Sequence, residues 1–217
     1  MAQKLSPGML FGERIRSFRI GAFKLSERAY PPRLKTPRHA HKWPFFCLVL
    51  GGGYTDIRHA ARRLCKPSTL LCHPQGEAHA EHFHETGGRL FLVEIEPRWL
   101  KRNLNRKEIR PMPSGLYGGL VAGLAMRLYQ EFLLGEGASP LIVEGLVLEI
   151  LGEALRHSAG LEVASFPKWL RQAREQLNAR FAEPLTLRDV AKTVRVHPVH
   201  LAQMFQRHYR CTVGTHI

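Results

Sequence analysis

Apolar and polar positions alternate in short runs over the first half of the chain, then recur at helical spacing. Residues 10–30, LFGERIRSFRIGAFKLSERAY, mix Phe, Ile and Leu with Arg and Ser in the loose alternation of one or two half-buried strands. Pro31, Pro32 and Pro37 punctuate a loop. Phe45 to Leu50, FFCLVL, is a short apolar run closed by Gly51-Gly52-Gly53, which predicts a buried strand ending at the glycines. Tyr54 to Ile57 restarts the alternation, Ser68 to Cys72 predicts another short strand, and Pro74-Gln75-Gly76 a tight turn. Arg89 to Ile95, RLFLVEI, closes the series. Short strands separated by Gly and Pro turns argue for a sandwich or small barrel.

Near Pro97 the period changes. Leu116, Leu120, Leu124, Leu128 and Phe132 predict a helix over 116–134. Ser139 as N-cap and Pro140 at the first helical position open a second, carrying Ile142, Leu146, Ile150 and Leu155 and ending near Gly160. Two adjacent amphipathic helices predict an antiparallel hairpin, whose stripe either covers the barrel or packs on a second copy. After a linker over 158–165, Phe166, Leu170, Ala173, Leu177 and Phe181 stripe a helix that Pro184 ends. Thr186-Leu187-Arg188-Asp189 has the form of a capping box and starts a short helix over 187–194, packing Leu187, Val190, Ala191 and Val194. Arg195-Val196-His197 is a turn. Pro198 then begins a helix to Tyr209 with Leu201 and Phe205 one turn apart as its core face.

A short helix, a three-residue turn and a second helix form the geometry that lays the second helix in a DNA major groove. The face opposite Leu201 and Phe205 offers Val199, Ala202, Gln203, Gln206 and Arg207. Gln can bond adenine bidentately, Val and Ala can touch a thymine methyl, and Arg207 suits a phosphate. Thr186, Arg188 and Arg195 fall where the shorter helix and the turn would meet the DNA backbone. The blander alternative is a three-helix bundle with a solvated polar face.

Charge favours the first alternative. A net charge of +14 and a pI near 10.2 point to a polyanionic partner, nucleic acid before an anionic membrane. The ends carry the excess: 21 Lys and Arg against 9 Asp and Glu in residues 1–110, and 9 against 3 in residues 166–217. The four cysteines, Cys47, Cys65, Cys72 and Cys211, form no CxxC pair and suit free thiols in a reducing cytoplasm. The first residues have no apolar signal core, and no apolar run is long enough for a membrane span, so a cytoplasmic protein is expected.

The stretch LTLRDVAKTVRVHPVHLAQMFQRHYRCTVGTHI resembles the first helix-turn-helix of the AraC/XylS family of transcriptional regulators. The matching elements are Leu185-Thr186-Leu187, Asp189-Val190-Ala191, His197-Pro198, His200-Leu201 and Phe205. PRHAHKWPFFCLVLGGGYTDI and HPQGEAHAEHF resemble the cupin-type sensing domain of such regulators. Together the resemblance covers most of the chain. It departs at Arg210, where the family usually has a glycine, and at Ile217, where the family goes on into a linker helix and a second helix-turn-helix. The resemblance thus implies an α+β chain with a cupin-like β-barrel or sandwich for ligand sensing over 1–110. A helical hairpin for dimerisation follows over 111–162, then a truncated three-helix helix-turn-helix unit over 163–217.

Seven of the twelve histidines, His39, His41, His59, His73, His79, His82 and His84, fall in the sensing segment. His39-x-His41, with Pro74-x-Gly76-x-x-His79 resembling the second cupin motif, could aim three imidazoles into one cavity, where they would suit Fe, Mn, Ni or Zn. The acid that metal cupins carry just after the His pair is absent: Lys42-Trp43-Pro44-Phe45-Phe46 occupies that span. The expectation is therefore no metal and no cofactor, with His39, His41, Phe46 and His79 contacting an organic effector and His82 and His84 on the surface. The expected protein is a ligand-responsive, sequence-specific DNA-binding regulator of a promoter half-site, incapable of tight DNA binding in this truncated form, a homodimer and not an enzyme. The alternatives are a metal-dependent cupin oxygenase or isomerase, and a dimerising fragment that pairs with and blocks a longer relative.

Overall fold

Glycine placement shapes the first half of the molecule. The computed structural model describes residues 2–58, 61–104, 115–158, 168–179, 185–209 and 212–216, and the chain divides into two compact units, Met1–Gly160 and Leu161–Ile217. The first unit opens with strands β1 (Gln3–Leu5), β2 (Glu13–Ile20), β3 (Phe23–Tyr30), β4 (His39–His41), β5 (Phe45–Arg58), β6 (Ala61–Cys65), β7 (Leu70–His73) and β8 (Ala80–Ile95). It continues with helix α1 (Pro97–Asn103), strand β9 (Gly115–Tyr117), helix α2 (Gly119–Leu133), a 3-10 turn (Gly135–Gly137) and helix α3 (Pro140–Ser158). The architecture is α+β, with the sheet in the N-terminal part. The helical hairpin belongs to the same compact unit as the sheet.

The strand expected over 45–50 does not stop at Gly51-Gly52-Gly53; it runs on to Arg58. Its register with β8 slips between Val49 and Gly51 and again between Gly52 and Tyr54. Gly52 has φ +69, and a Cβ there would lie 2.1 Å from the Gly87 carbonyl oxygen. The glycines make a bulge that bends the strand rather than a turn that ends it. β5 and β8 therefore pair along both of their halves. The main sheet runs β2-β3-β8-β5-β7-β9, with β6 on β5, while β1 lies parallel to β4 in a separate ribbon.

Strand alternation sorts side chains to two sides. Phe46, Leu48, Leu70, Cys72, Phe91 and Val93 pack with Leu124, Leu128, Phe132, Leu146 and Ile150 of the hairpin. Phe45, Cys47, Val49, Leu71 and Leu92 turn the other way and fill the interior with Tyr30, Tyr54 and Phe83. The hairpin thus covers the sheet. Two expectations there are corrected. Leu116 lies in β9, because the open edge of β7 captures that segment, and the helix starts after Gly118. Ile142 does not join the buried stripe: it is 46% exposed, since α3 buries Val143 and Val147 beside Leu146 and Ile150.

The second unit comprises α4 (Lys168–Ala179), α5 (Leu187–Thr193), α6 (Pro198–Tyr209) and α7 (Val213–His216). Leu170, Ala173, Leu177, Val190, Ala191, Leu201 and Phe205 form its core, each at most 1% exposed. Phe166, Phe181, Pro184, Arg210 and Cys211, all named above, lie outside the described residues.

Candidate functional site

The histidines converge because two chain segments pair at the sheet margin. The backbone N–H of His39 donates to the carbonyl of His79 and the reverse, each at 2.8 Å. His39 and His41 share β4, and both side chains are buried, as is that of His79. Ring centroids of His39 and His79 lie 4.3 Å apart, those of His39 and His41 4.9 Å, and those of His41 and His79 5.4 Å. His73, which the sequence reading did not single out, sits on β7 opposite Phe45, stacked flat on its ring and 4.3 Å from the ring of His79. Phe46, expected to contact ligand, points the other way, under the helices. It is Phe45, one residue earlier and so on the opposite face, that touches His41 and His73.

Burial pulls the imidazoles below their usual range: His41 to about 3, with His39, His73 and His79 also lowered. They are neutral at pH 7. Nδ1 of His39 lies 2.9 Å from the Pro37 carbonyl oxygen, and Nδ1 of His79 lies 3.2 Å from that of Glu77. A proton on each Nδ1 leaves a lone pair on each Nε2. His79 Nε2 and His41 Nδ1 are buried without a hydrogen-bond partner. One ligand atom from each of His39, His41 and His79 lies within 4.8 Å of the others. Three neutral, buried imidazoles with unused lone pairs fit a first-row divalent ion. His39, His41 and His79 would hold it, and it would supply open coordination positions to a bound small molecule.

Asp56, His73 and His79 also approach one another within 4.8 Å. There the positive charge comes from Arg58. Its Nε–H donates to Asp56 Oδ2 at 2.5 Å, Nη1 pairs with Glu77 Oε2 at 2.5 Å, and Nη2 lies 3.3 Å from His73 Nδ1. Burial raises the Asp56 carboxyl while Arg58 opposes the shift. Glu81, buried beside this group, is pushed up to about 8 by burial and by the Asp56 charge. None of Asp56, Arg58, Glu77 or Glu81 was singled out from sequence. The signal was there: Tyr54, Asp56 and Arg58 fall on one face of a strand. His82 and His84 are partly buried, and His84 Nε2 lies 3.0 Å from Thr55 Oγ1. His59 lies outside the described residues.

The second candidate site is the α5–α6 pair. Thr186 Oγ1 accepts the N–H of Asp189 at 3.2 Å, and the N–H of Thr186 donates to Asp189 Oδ2 at 3.0 Å, so the expected capping box is formed. Arg195, at φ +56, takes the left-handed conformation that closes the turn. Leu201 and Phe205 are fully buried, while Val199, Gln203 and Gln206 are exposed and Ala202 is half-buried. Thr186, Arg188 and Arg195 are exposed as well. Arg207 stands on α6, but its side chain lies outside the described residues.

A sheet domain with a histidine-lined interior and a unit with a capped helix-turn-helix give an α+β fold like that of an AraC-like activator of known structure. The crystal structure of the AraC-like transcriptional activator CuxR is similar, with a TM-score of 0.52 and 12% identity over 88% of this chain and 72% of that chain. A cupin 2 conserved barrel domain protein from Salinispora arenicola CNS-205 matches 42% of this chain and 78% of its own, at TM-score 0.36 and 16% identity. The DMSP lyase DddQ from Ruegeria pomeroyi DSS-3 matches 35% of this chain at TM-score 0.34 and 18% identity, and this chain spans 39% of that one. No family model and no curated protein matches the sequence. The likeness to CuxR is one of fold.

Proposed function

We propose that this chain is a ligand-responsive transcriptional regulator that reads DNA through α6. The observation that carries this reading is the capped α5–turn–α6 unit, which buries Leu201 and Phe205 and leaves Val199, Gln203 and Gln206 in solvent. Gln203 and Gln206 read base edges, while Thr186, Arg188, Arg195 and Arg207 meet phosphates. The net charge of +14 supplies sequence-independent attraction. An effector binds at the His39, His41 and His79 centre, and the chain acts as a cytoplasmic homodimer without catalysing a reaction. Among the described residues no helix is long and apolar enough to cross a membrane.

Selection from a random duplex pool, followed by fluorescence anisotropy across a salt series, tests the reading. An enriched motif is expected, with affinity that falls steeply as salt rises. Gln203→Ala and Gln206→Ala relax base preference, whereas Arg188→Ala and Arg195→Ala weaken all duplexes alike and flatten the salt slope. No enrichment and no duplex binding would overturn it. A second reading, a metal-dependent cupin enzyme, draws on the three buried imidazoles. It requires about one transition metal per chain in untagged protein by elemental analysis, lost in His39→Ala/His41→Ala, and turnover by the metal-loaded chain.

A further inference from the structure

The main sheet ends in an open edge. β2 lies at one end of it and, among the described residues, pairs with β3 alone. Its register slips between Arg14 and Arg16, so the regular part of its outer edge runs from Arg16 to Ile20, roughly 13 Å at about 3.3 Å per residue. A cleft of about 560 Å³ lies along this stretch, within the ~300–1,000 Å³ range of binding clefts. One wall is Arg16, Phe18, Arg19 and Ile20; the other is Gly135, Glu136 and Ala138, in the turn between α2 and α3.

Phe18 and Ile20 pack toward the helices, with Phe18 stacked on Phe132 at 4.7 Å between ring centroids. Arg19 points to the opposite face, where it pairs with Glu96 at 3.0 Å and lies 5.7 Å over the Trp43 ring. Consecutive residues of a strand face opposite sides, so the wall that all three share is the backbone edge itself. An edge strand presents N–H and C=O groups that its own sheet leaves unpaired. The facing wall is bare at Gly135, where φ is +63 and a Cβ would meet nothing within 4 Å.

We propose that the outer edge of β2 takes up an extended acidic peptide segment of a second protein as an added strand. Charge selects that partner. β2 carries Arg14, Arg16 and Arg19 against Glu13 alone. Among the described residues neither Arg14 nor Arg16 makes an ion pair. Arg16 Nη1 donates to the Leu133 carbonyl oxygen at 3.0 Å, which holds the guanidinium beside the cleft without neutralising it. Main-chain pairing along the edge supplies the affinity, and carboxylates on the added strand meet the arginines. A second copy of this chain fits badly. It carries +14, and β2 laid on β2 brings the arginines of two edges together. A nucleic acid has the right charge but no backbone amides to continue the sheet. The surface belongs to the first unit alone and does not rest on the DNA-reading proposal.

Fluorescence anisotropy of the full chain with a labelled peptide of about eight residues, alternating Glu and Val, tests this. Saturable binding is expected. The same peptide N-methylated at alternate residues keeps its charge but loses its strand donors, and its Kd should rise at least about tenfold. A peptide alternating Lys and Val should not bind. Arg14→Glu/Arg16→Glu should abolish binding with the near-UV circular dichroism unchanged, whereas Arg188→Ala/Arg195→Ala should leave binding as it is. Amide hydrogen exchange should slow over residues 16–20 in the complex. Equal affinity of the plain and N-methylated peptides would mean attraction by charge alone, as for a nucleic-acid backbone, and would overturn the inference. Absent binding, or binding lost in Arg188→Ala/Arg195→Ala but kept in the glutamate pair, would do the same. No DNA enters the measurement, so its failure leaves the DNA-reading proposal standing, and failure of that proposal leaves this edge intact.

Discussion

The two units solve opposite problems with their polar groups. The twelve buried polar or charged residues among those described, from Ser26 to Glu94, all lie in the first unit. Among the described residues of the second unit no charged residue is buried: the core is apolar apart from Tyr209, whose hydroxyl donates to the Leu170 carbonyl at 3.4 Å, and half-buried Arg174 lies 5.4 Å over the Tyr209 ring. A buried polar group must find a partner or lose several kcal/mol, so the first unit is held by specific pairings such as Arg58 with Asp56 and Glu77. The second is held by a small apolar core that tolerates variation outside it. One unit carries its chemistry inside and the other on its surface.

That contrast predicts how each breaks. Phe205→Ala empties the centre of the small core and costs about 3–5 kcal/mol. Calorimetry should then lose the transition of the second unit while that of the first persists. Joint loss of both transitions would mean that the units do not melt independently. Arg58→Ala leaves Asp56 and Glu77 without their cation and destabilises the first unit by roughly 3–5 kcal/mol, read as a lower urea midpoint. Adding Asp56→Asn to it should recover part of the loss; no recovery would mean that the arginine acts by packing alone.

Acid should separate the units. The lowered histidines favour the neutral form when folded, so their stability is present above pH 6.5 and lost as pH falls toward the folded value. From His41 alone, at about 3, the loss at pH 4 is on the order of 3 kcal/mol. The transition of the first unit should drop between pH 6.5 and 4. Glu81 has the opposite sign: its raised pKa stabilises the fold below pH 4.5, and that contribution is lost as pH rises through about 8. Glu81→Gln should flatten the alkaline side. Smallest is Thr186→Ala, which removes the cap of α5 at about 1 kcal/mol, seen as a small shift of the second unit's midpoint only.

The legibility of each unit follows from the same contrast. The α5–α6 pair was readable to within a residue, because caps, turns and the Leu201–Phe205 face are set by neighbours three or four places apart. Of the strands, β2, β3, β5, β7 and the second half of β8 were found but not their ends, and β1, β4, β6 and β9 were not found. Gly51-Gly52-Gly53 looks like a stop until Gly87 of another strand is placed against it. At the histidine centre His39, His41 and His79 were named in advance, Phe46 was one residue off, and the Arg58 network was missed. A pleated strand gives consecutive residues opposite faces, and nothing local says which face is inward.

From sequence alone came the α+β order, the basic charge, the capped helix-turn-helix and three of the converging histidines, all properties of spacing along one segment. The tertiary structure decided which of Phe45 and Phe46 meets the imidazoles, which cation serves Asp56, and which face of α3 is left bare. Each of these depends on strands and helices distant in sequence coming into register, and register is fixed only when the whole core packs.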